Sequence, residues 1–134
     1  MAAPDPGPYV LSGTALRLRS DTSVEPLPLT GDFWQRLMSG KLGTFHNEYL
    51  VTTFSYDKPW TNWEMHPNGD EIVMLLEGAT TMVLEVGGRE KLVELDQPCA
   101  YVVVPHGTWH TSRPRGMCRM LFITPGEGTQ HRPA

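Results

Sequence analysis

Two stretches of the chain decide its fold and contain three of its five histidines. Residues 63–71 read WEMHPNGDE, and residues 104–110 read VPHGTWH. If the first stretch is extended as far as its proline, Glu64 and His66 lie on one face of a strand, because side chains alternate with a period of two. Glu71 opens the next strand after the turn. The first stretch therefore predicts three potential metal ligands around one hairpin corner.

The second stretch adds one candidate ligand. His110 begins a later predicted strand and becomes a fourth ligand only if the sheet closes so that the two strands approach each other. His106 lies in a turn between a proline and a glycine and is predicted to face solvent. His131 lies in the tail of residues 126–132, which has no spacing typical of a metal site. Each candidate also has an ordinary interpretation, as a histidine at a sheet rim or as a carboxylate that caps a turn or pairs with an arginine.

Short predicted strands surround both stretches. They cover residues 9–19, 48–56, 71–77, 80–86, 89–95, 100–104, 108–113 and 117–124. Gly87 and Gly88 favour a tight hairpin turn, whereas residues 24–29 hold two prolines and are excluded from a central strand. About eight short strands separated by turn residues indicate an all-β sandwich or barrel. A barrel of about eight strands has room for one small ligand.

One short helix is predicted near the N-terminus. It begins after a cap at Thr30 or Gly31 and ends at Gly40. Its apolar residues fall at three- and four-residue spacings and are predicted to pack on a sheet; they are Phe33, Trp34, Leu37 and Met38.

Composition limits the classes of partner. The 134 residues fit one domain, predicted over residues 9–134 after a disordered start of residues 1–8. A net charge of −4 without a basic block argues against nucleic acid and against an anionic membrane surface. The longest apolar runs are far below the ~18 residues of a membrane span. Two cysteines are too few for a disulfide framework, so a cytoplasmic protein with reduced thiols is expected.

The two stretches resemble the two motifs of the cupin superfamily in its small single-domain, type-2 form. The first motif runs His-x-His, three or four residues, Glu, six residues and Gly. It is matched at His66, Glu71 and Gly78, with Glu64 in place of the first histidine. The resemblance spans residues 45–124 and implies a cupin β-barrel, which is a jelly roll of two antiparallel sheets.

The second motif runs Gly, five residues, Pro-x-Gly, two residues, His, three residues and Asn. It is matched at Pro105, Gly107 and His110. Cys99 and Pro114 stand where the family has the first glycine and the asparagine. Two motifs in the family's order indicate the fold strongly and the reaction weakly, because one fold hosts many functions.

The resemblance also implies a ligand set for one divalent metal ion. Carried over by position, the ligands are His66, Glu71 and His110, with Glu64 in the fourth place. Two imidazoles and one carboxylate suit non-haem iron. If Glu64 binds as well, the second carboxylate favours manganese or iron, while zinc stays possible.

Two functions are compatible with this reading. One is a metal-dependent dioxygenase, isomerase or lyase that acts on a small polar metabolite, with Glu64 as fourth ligand or catalytic base. The other is a small-molecule-binding or sensing module without turnover, in which Glu64 is a cavity carboxylate of a degenerate, metal-free site.

Alternation along the strands predicts which side chains face outward and which line the pocket. Trp63, Met65 and Trp109 are predicted to point away from the interior. An outward tryptophan needs cover from the N-terminal segment or from a second copy of the chain, and small cupins commonly form homodimers. Three residues are predicted to line the pocket, namely Tyr56, Met74 and Phe122.

Overall fold

A computed structural model of the protein describes residues 5–134. Of the predicted disordered start, residues 1–4 lie outside the described residues, and residues 5–8 form neither helix nor strand. The elements are β1 (Thr14–Leu18), β2 (Val24–Pro28), α1 (Phe33–Met38), β3 (Tyr49–Tyr56), β4 (Asn62–Met65), β5 (Glu71–Glu77), β6 (Thr80–Val86), β7 (Arg89–Leu95), β8 (Tyr101–Val104), β9 (His110–Pro114), β10 (Cys118–Pro125) and β11 (Gln130–Pro133).

The strands form two antiparallel sheets, with the orders β2-β1-β3-β10-β5-β8 and β11-β4-β9-β6-β7. Between residues 5 and 134 no strand pairing joins the two sheets, so the predicted barrel is a jelly-roll sandwich and not a continuous hydrogen-bonded cylinder. Residues of both sheets meet in the larger of two hydrophobic clusters, for example Val73 and Leu75 of β5 with Met82 and Leu84 of β6. The predicted all-β fold of two antiparallel sheets is confirmed.

The turn residues act as the sequence predicts. Gly87 and Gly88 join β6 to β7 with positive φ angles of 59° and 75°. The proline-containing β2 is an edge strand, since it pairs only with β1 in its sheet. Gly78 has a φ of +83°, and a Cβ there would lie 2.1 Å from the Met117 carbonyl oxygen, so this motif position admits only glycine.

Helix α1 is shorter than predicted, with six residues. Phe33 is buried against Ala15, Phe45 and Leu50, but Met38 is 80% exposed. The expectation that all the apolar residues of the helix pack on a sheet is therefore wrong. A helix of fewer than two turns buries only one narrow face.

Two short strands, β4 and β11, were not fully predicted. They pair with each other, and His131 lies directly opposite Glu64. Neither strand has the long alternating pattern by which a strand is recognised in sequence. Among the residues that the structure describes, no helix is long and apolar enough to cross a membrane.

Strand β11 also covers the outward tryptophans. The Arg132 guanidinium lies 4.6 Å from the ring centre of Trp109 and 5.2 Å from that of Trp63. Trp63 is only 9% exposed as a result. Both tryptophans point away from the cavity, and an arginine of the same chain covers them, because stacked guanidinium groups cover aromatic faces well.

Candidate metal centre

The four predicted ligand residues come together between the two sheets. Glu64 lies in β4 and faces His110, the first residue of β9, across the strand pair. His66 follows the end of β4, and Glu71 is the first residue of β5 in the other sheet. The sheets thus close far enough for residues from both motifs to meet.

The functional atoms lie within a few ångströms of one another. Glu71 Oε1 is 2.9 Å from His110 Nε2, and Glu71 Oε2 is 3.3 Å from His66 Nε2. Glu64 Oε2 is 3.9 Å from His66 Nε2. One ligand atom each from Glu64, His66 and His110 lie within 4.8 Å of one another. These three side chains are therefore placed to hold a metal ion.

Three buried polar atoms of this group form no well-aligned hydrogen bond in the described part of the chain, although Glu71 Oε1 lies 2.9 Å from His110 Nε2. They are His66 Nε2, Glu71 Oε1 and His110 Nε2. Their side chains are 3%, 2% and 0% exposed. Buried polar groups are nearly always satisfied, and each one left without a partner costs free energy. Two imidazole nitrogens and a carboxylate oxygen side by side are the donor set that divalent transition metals prefer.

Neighbouring groups orient each of these side chains. His110 Nδ1 lies 3.0 Å from the Thr108 carbonyl oxygen. Because a carbonyl only accepts, Nδ1 carries the proton, and Nε2 of the neutral ring is free to bind a metal. Thr124 Oγ1 donates to Glu71 Oε2 at 2.6 Å, and Thr129 Oγ1 lies 2.9 Å from His66 Nδ1.

The two buried partners shift each other's pKa. Burial raises the pKa of Glu71, but the contacts with the His110 and His66 imidazoles outweigh it and hold the pKa at about 2. Burial lowers the pKa of His110, and the Glu71 carboxylate outweighs it, so that the pKa of His110 lies above its ordinary value. Glu71 is therefore an ionised carboxylate at neutral pH, as a metal ligand has to be.

Glu64 differs from the other three in its environment. Its side chain is 32% exposed, and Glu64 Oε1 lies 3.4 Å from Nε2 of His131, which is 45% exposed. Glu64 thus stands at the rim of the centre, where it faces both the buried group and the adjoining cavity.

Sequence reasoning missed the contribution of the C-terminal tail. It assigned no metal-site role to residues 126–132, yet Thr129 contacts His66 and His131 contacts Glu64. The two tail residues are separated by one position, which is the spacing of side chains on one face of a strand. His106, in contrast, is 70% exposed as predicted and pairs with Asp70 outside the centre.

A cavity of about 890 Å³ adjoins the centre. Tyr56 and Phe122 line it, as predicted. Met74 is absent from its lining, so that prediction is wrong. The reason is strand alternation, because Glu71, Val73 and Leu75 are the buried residues of β5 and Met74 faces the other side.

Comparison with known proteins identifies the fold only through solved structures, since no family model and no curated protein matches the chain. A cupin-2 domain protein from Shewanella frigidimarina is 22% identical, with a TM-score of 0.49 over 57% of this chain and 70% of that one. Hydroquinone 1,2-dioxygenase from Sphingomonas sp. TTNP3, with 4-hydroxybenzoate bound, is 14% identical, with a TM-score of 0.51 over 60% of each chain.

The third similar structure is oxalate decarboxylase of Bacillus subtilis, a protein with Mn(II) centres. It is 13% identical, with a TM-score of 0.53 over 63% of this chain and 23% of that one. The chain thus spans less than two thirds of the dioxygenase and about a quarter of the decarboxylase. At these identities the likeness concerns the fold alone, and the chain has the cupin fold.

Proposed function

We propose that the protein is a metal-dependent enzyme that binds one divalent ion with His66, Glu71 and His110, and with Glu64 as the fourth ligand. The observation that carries this proposal is the group of three adjacent buried atoms without a well-aligned hydrogen bond in the described chain. An ion bound there satisfies all three atoms at once. Two carboxylates balance the charge of a divalent ion, which suits iron or manganese and also admits zinc.

The residues around that ion have different roles in the proposed reaction. When bound, the ion supplies Lewis-acid polarisation or, if it is iron, oxygen chemistry. The Thr108 carbonyl holds the His110 proton at Nδ1, and Thr124 orients the Glu71 carboxylate. Glu64 faces the cavity, and in the alternative in which it does not bind the ion it is the residue proposed to take up a substrate proton, at Oε1. A dioxygenase, isomerase or lyase reaction on a small molecule fits this arrangement, and both the dioxygenase and the decarboxylase with the same fold support it.

Elemental analysis of untagged protein by mass spectrometry tests the proposal. We expect about one metal ion per chain, lost in His66→Ala and in His110→Ala, because each removes a ligand from a single site. His106→Ala is the matched control, since His106 is an exposed histidine outside the centre, and it should keep the metal. Protein that stays free of metal after loading with iron, manganese and zinc salts would contradict the proposal.

A non-catalytic binding protein is the second candidate, and a specific contact favours it. Glu71 lies close enough to both imidazoles to form ion pairs with them without any metal. In that case a chelator leaves the melting temperature unchanged, whereas a metal-bound protein loses the stabilisation that its ligand provides.

The homodimer and the cytoplasmic location remain predictions. The dimer now rests on the family resemblance alone, because Arg132 covers Trp63 within one chain. Light scattering on purified protein distinguishes a mass near 15.0 kDa from twice that value.

A further inference from the structure

The cavity beside the candidate metal centre has a continuous aromatic wall. The ring centres of Trp60 and Phe122 are 5.9 Å apart, those of Phe122 and Phe54 are 5.8 Å apart, and those of Phe54 and Trp34 are 5.5 Å apart. These distances are typical of packed aromatic pairs. Phe54 and Trp34 are 43% and 40% exposed, so the wall extends from the interior to the mouth of the cavity.

The inner end of this wall reaches the metal centre. The ring centres of Trp60 and His110 are 6.2 Å apart. On β10, Phe122 and Thr124 lie on one face, and Thr124 donates to Glu71. A molecule that stacks against Trp60 and Phe122 therefore lies next to the proposed ligands.

The charges around the cavity argue against an anionic ligand. Among its lining residues within 5–134 there is no lysine and no arginine. The acidic and histidine residues of the lining are Glu64, His66, Glu71 and His131. In the metal-bound state the Glu64 and Glu71 carboxylates balance the charge of a divalent ion, so a ligand carboxylate would find no excess positive charge at the site. A hydroxyl group, in contrast, donates a hydrogen bond to the exposed part of the Glu64 carboxylate.

We propose, on the basis of the function proposed above, that the substrate class is an uncharged aromatic ring that carries a hydroxyl group. The ring lies against Trp60, Phe122 and Phe54, and the hydroxyl points to Glu64 and the metal centre. A cavity of about 890 Å³ has room for a substituted ring and is larger than a ligand of a few atoms needs.

Isothermal titration calorimetry at pH 7 with three probes separates the parts of this inference, with the metal content of each sample measured in parallel. Phenol has the aromatic ring and the hydroxyl, cyclohexanol has the hydroxyl on a saturated ring, and benzoate has the aromatic ring with a carboxylate in place of the hydroxyl. We expect phenol to bind and each of the other two to bind at least about fivefold more weakly. Benzoate or cyclohexanol binding as tightly as phenol would overturn the inference.

A pair of matched variants locates the binding. Phe54→Leu should weaken phenol binding about fivefold, because it removes one stacking ring. Tyr101→Leu is the control, since Tyr101 is also an exposed aromatic residue of a strand, 59% exposed and outside the cavity. Equal phenol affinity in both variants would overturn the inference.

The metal measurement keeps the two proposals apart. Protein that holds its metal but shows no saturable phenol binding overturns the substrate class and leaves the metal centre standing. Phenol binding in the expected order in protein that takes up no metal supports the aromatic site and contradicts the metal-dependent enzyme.

Discussion

Thr124 shows how much a single residue next to the ligands contributes. Its hydroxyl donates to Glu71 Oε2 at 2.6 Å and so fixes the carboxylate that faces both imidazoles. Such outer contacts typically change metal affinity by about 10- to 100-fold. We therefore expect Thr124→Val to keep the metal stoichiometry and to weaken affinity about tenfold, measured by competition with a chromophoric chelator. Thr53→Val is the matched control, because Thr53 donates to the Met120 carbonyl oxygen away from the centre. Equal affinities in the two variants would contradict this role.

His110 makes the stability of the metal-free protein depend on pH. Burial lowers the pKa of His110, but the contacts with the Glu71 carboxylate outweigh this effect and raise the pKa above the ordinary value of 6.5. A group whose pKa rises on folding stabilises the protein fully below its unfolded pKa, and this contribution is lost as pH rises through the folded pKa. We expect the melting temperature in chelator to fall from pH 6 upward and to fall less in His110→Gln. Parallel curves would contradict the coupling between His110 and Glu71.

The proton on His110 Nε2 also competes with the metal ion for that nitrogen. Binding requires His110 Nε2 to be unprotonated, and the raised pKa means that a metal has to displace this proton. Metal affinity should therefore decrease as pH falls below 7, and chelator competition at pH 6 and pH 8 measures it. An affinity that does not change between these pH values would exclude His110 as a ligand.

At the scale of elements, one arginine of β11 packs over two tryptophans. Arg132 stacks on Trp63 and Trp109 and also pairs with Glu85. We expect Arg132→Gln to lower the free energy of unfolding by about 1 kcal/mol, since a cation over an aromatic face contributes about that much. Arg119→Gln is the control, because Arg119 pairs with Glu77 on the surface, without a stacked ring among its contacts in the described chain, and should have a smaller effect. Urea denaturation compares the variants, and equal losses would contradict the stacking.

The elements also show where sequence reasoning succeeds and where it fails. The bounds predicted for β5, β6 and β7 agree with the structure, because glycine or aspartate turn residues flank these strands, namely Asp70, Gly78, Gly87, Gly88 and Asp96. β11 was missed, since QHRP has no apolar alternation and forms a strand only through pairing with β4. A four-residue strand of this kind is determined by long-range contacts, which no local pattern contains.

At the scale of the whole molecule, the spacing of the motifs predicted which four side chains meet, and the fold brings them together. The residues that contact these four side chains could not be predicted from the sequence. Thr129 and His131 reach the centre only because the tail folds back along β4. The face of β5 predicted for Met74 is wrong. Which face Met74 occupies depends on whether the odd- or even-numbered residues of that strand face the core, and the sequence does not specify this. Register and tail placement are properties of the assembled sandwich.

The location of the bound ion tests the central claim most directly. Crystals of metal-loaded protein, measured at the absorption edge of the metal, show the ion in an anomalous difference map. We predict one peak in contact with His66 Nε2, Glu71 Oε1 and His110 Nε2, with Glu64 beside it. A peak only at an exposed pair such as His106 and Asp70, with His66, Glu71 and His110 in contact only with one another in the interior, would contradict the account.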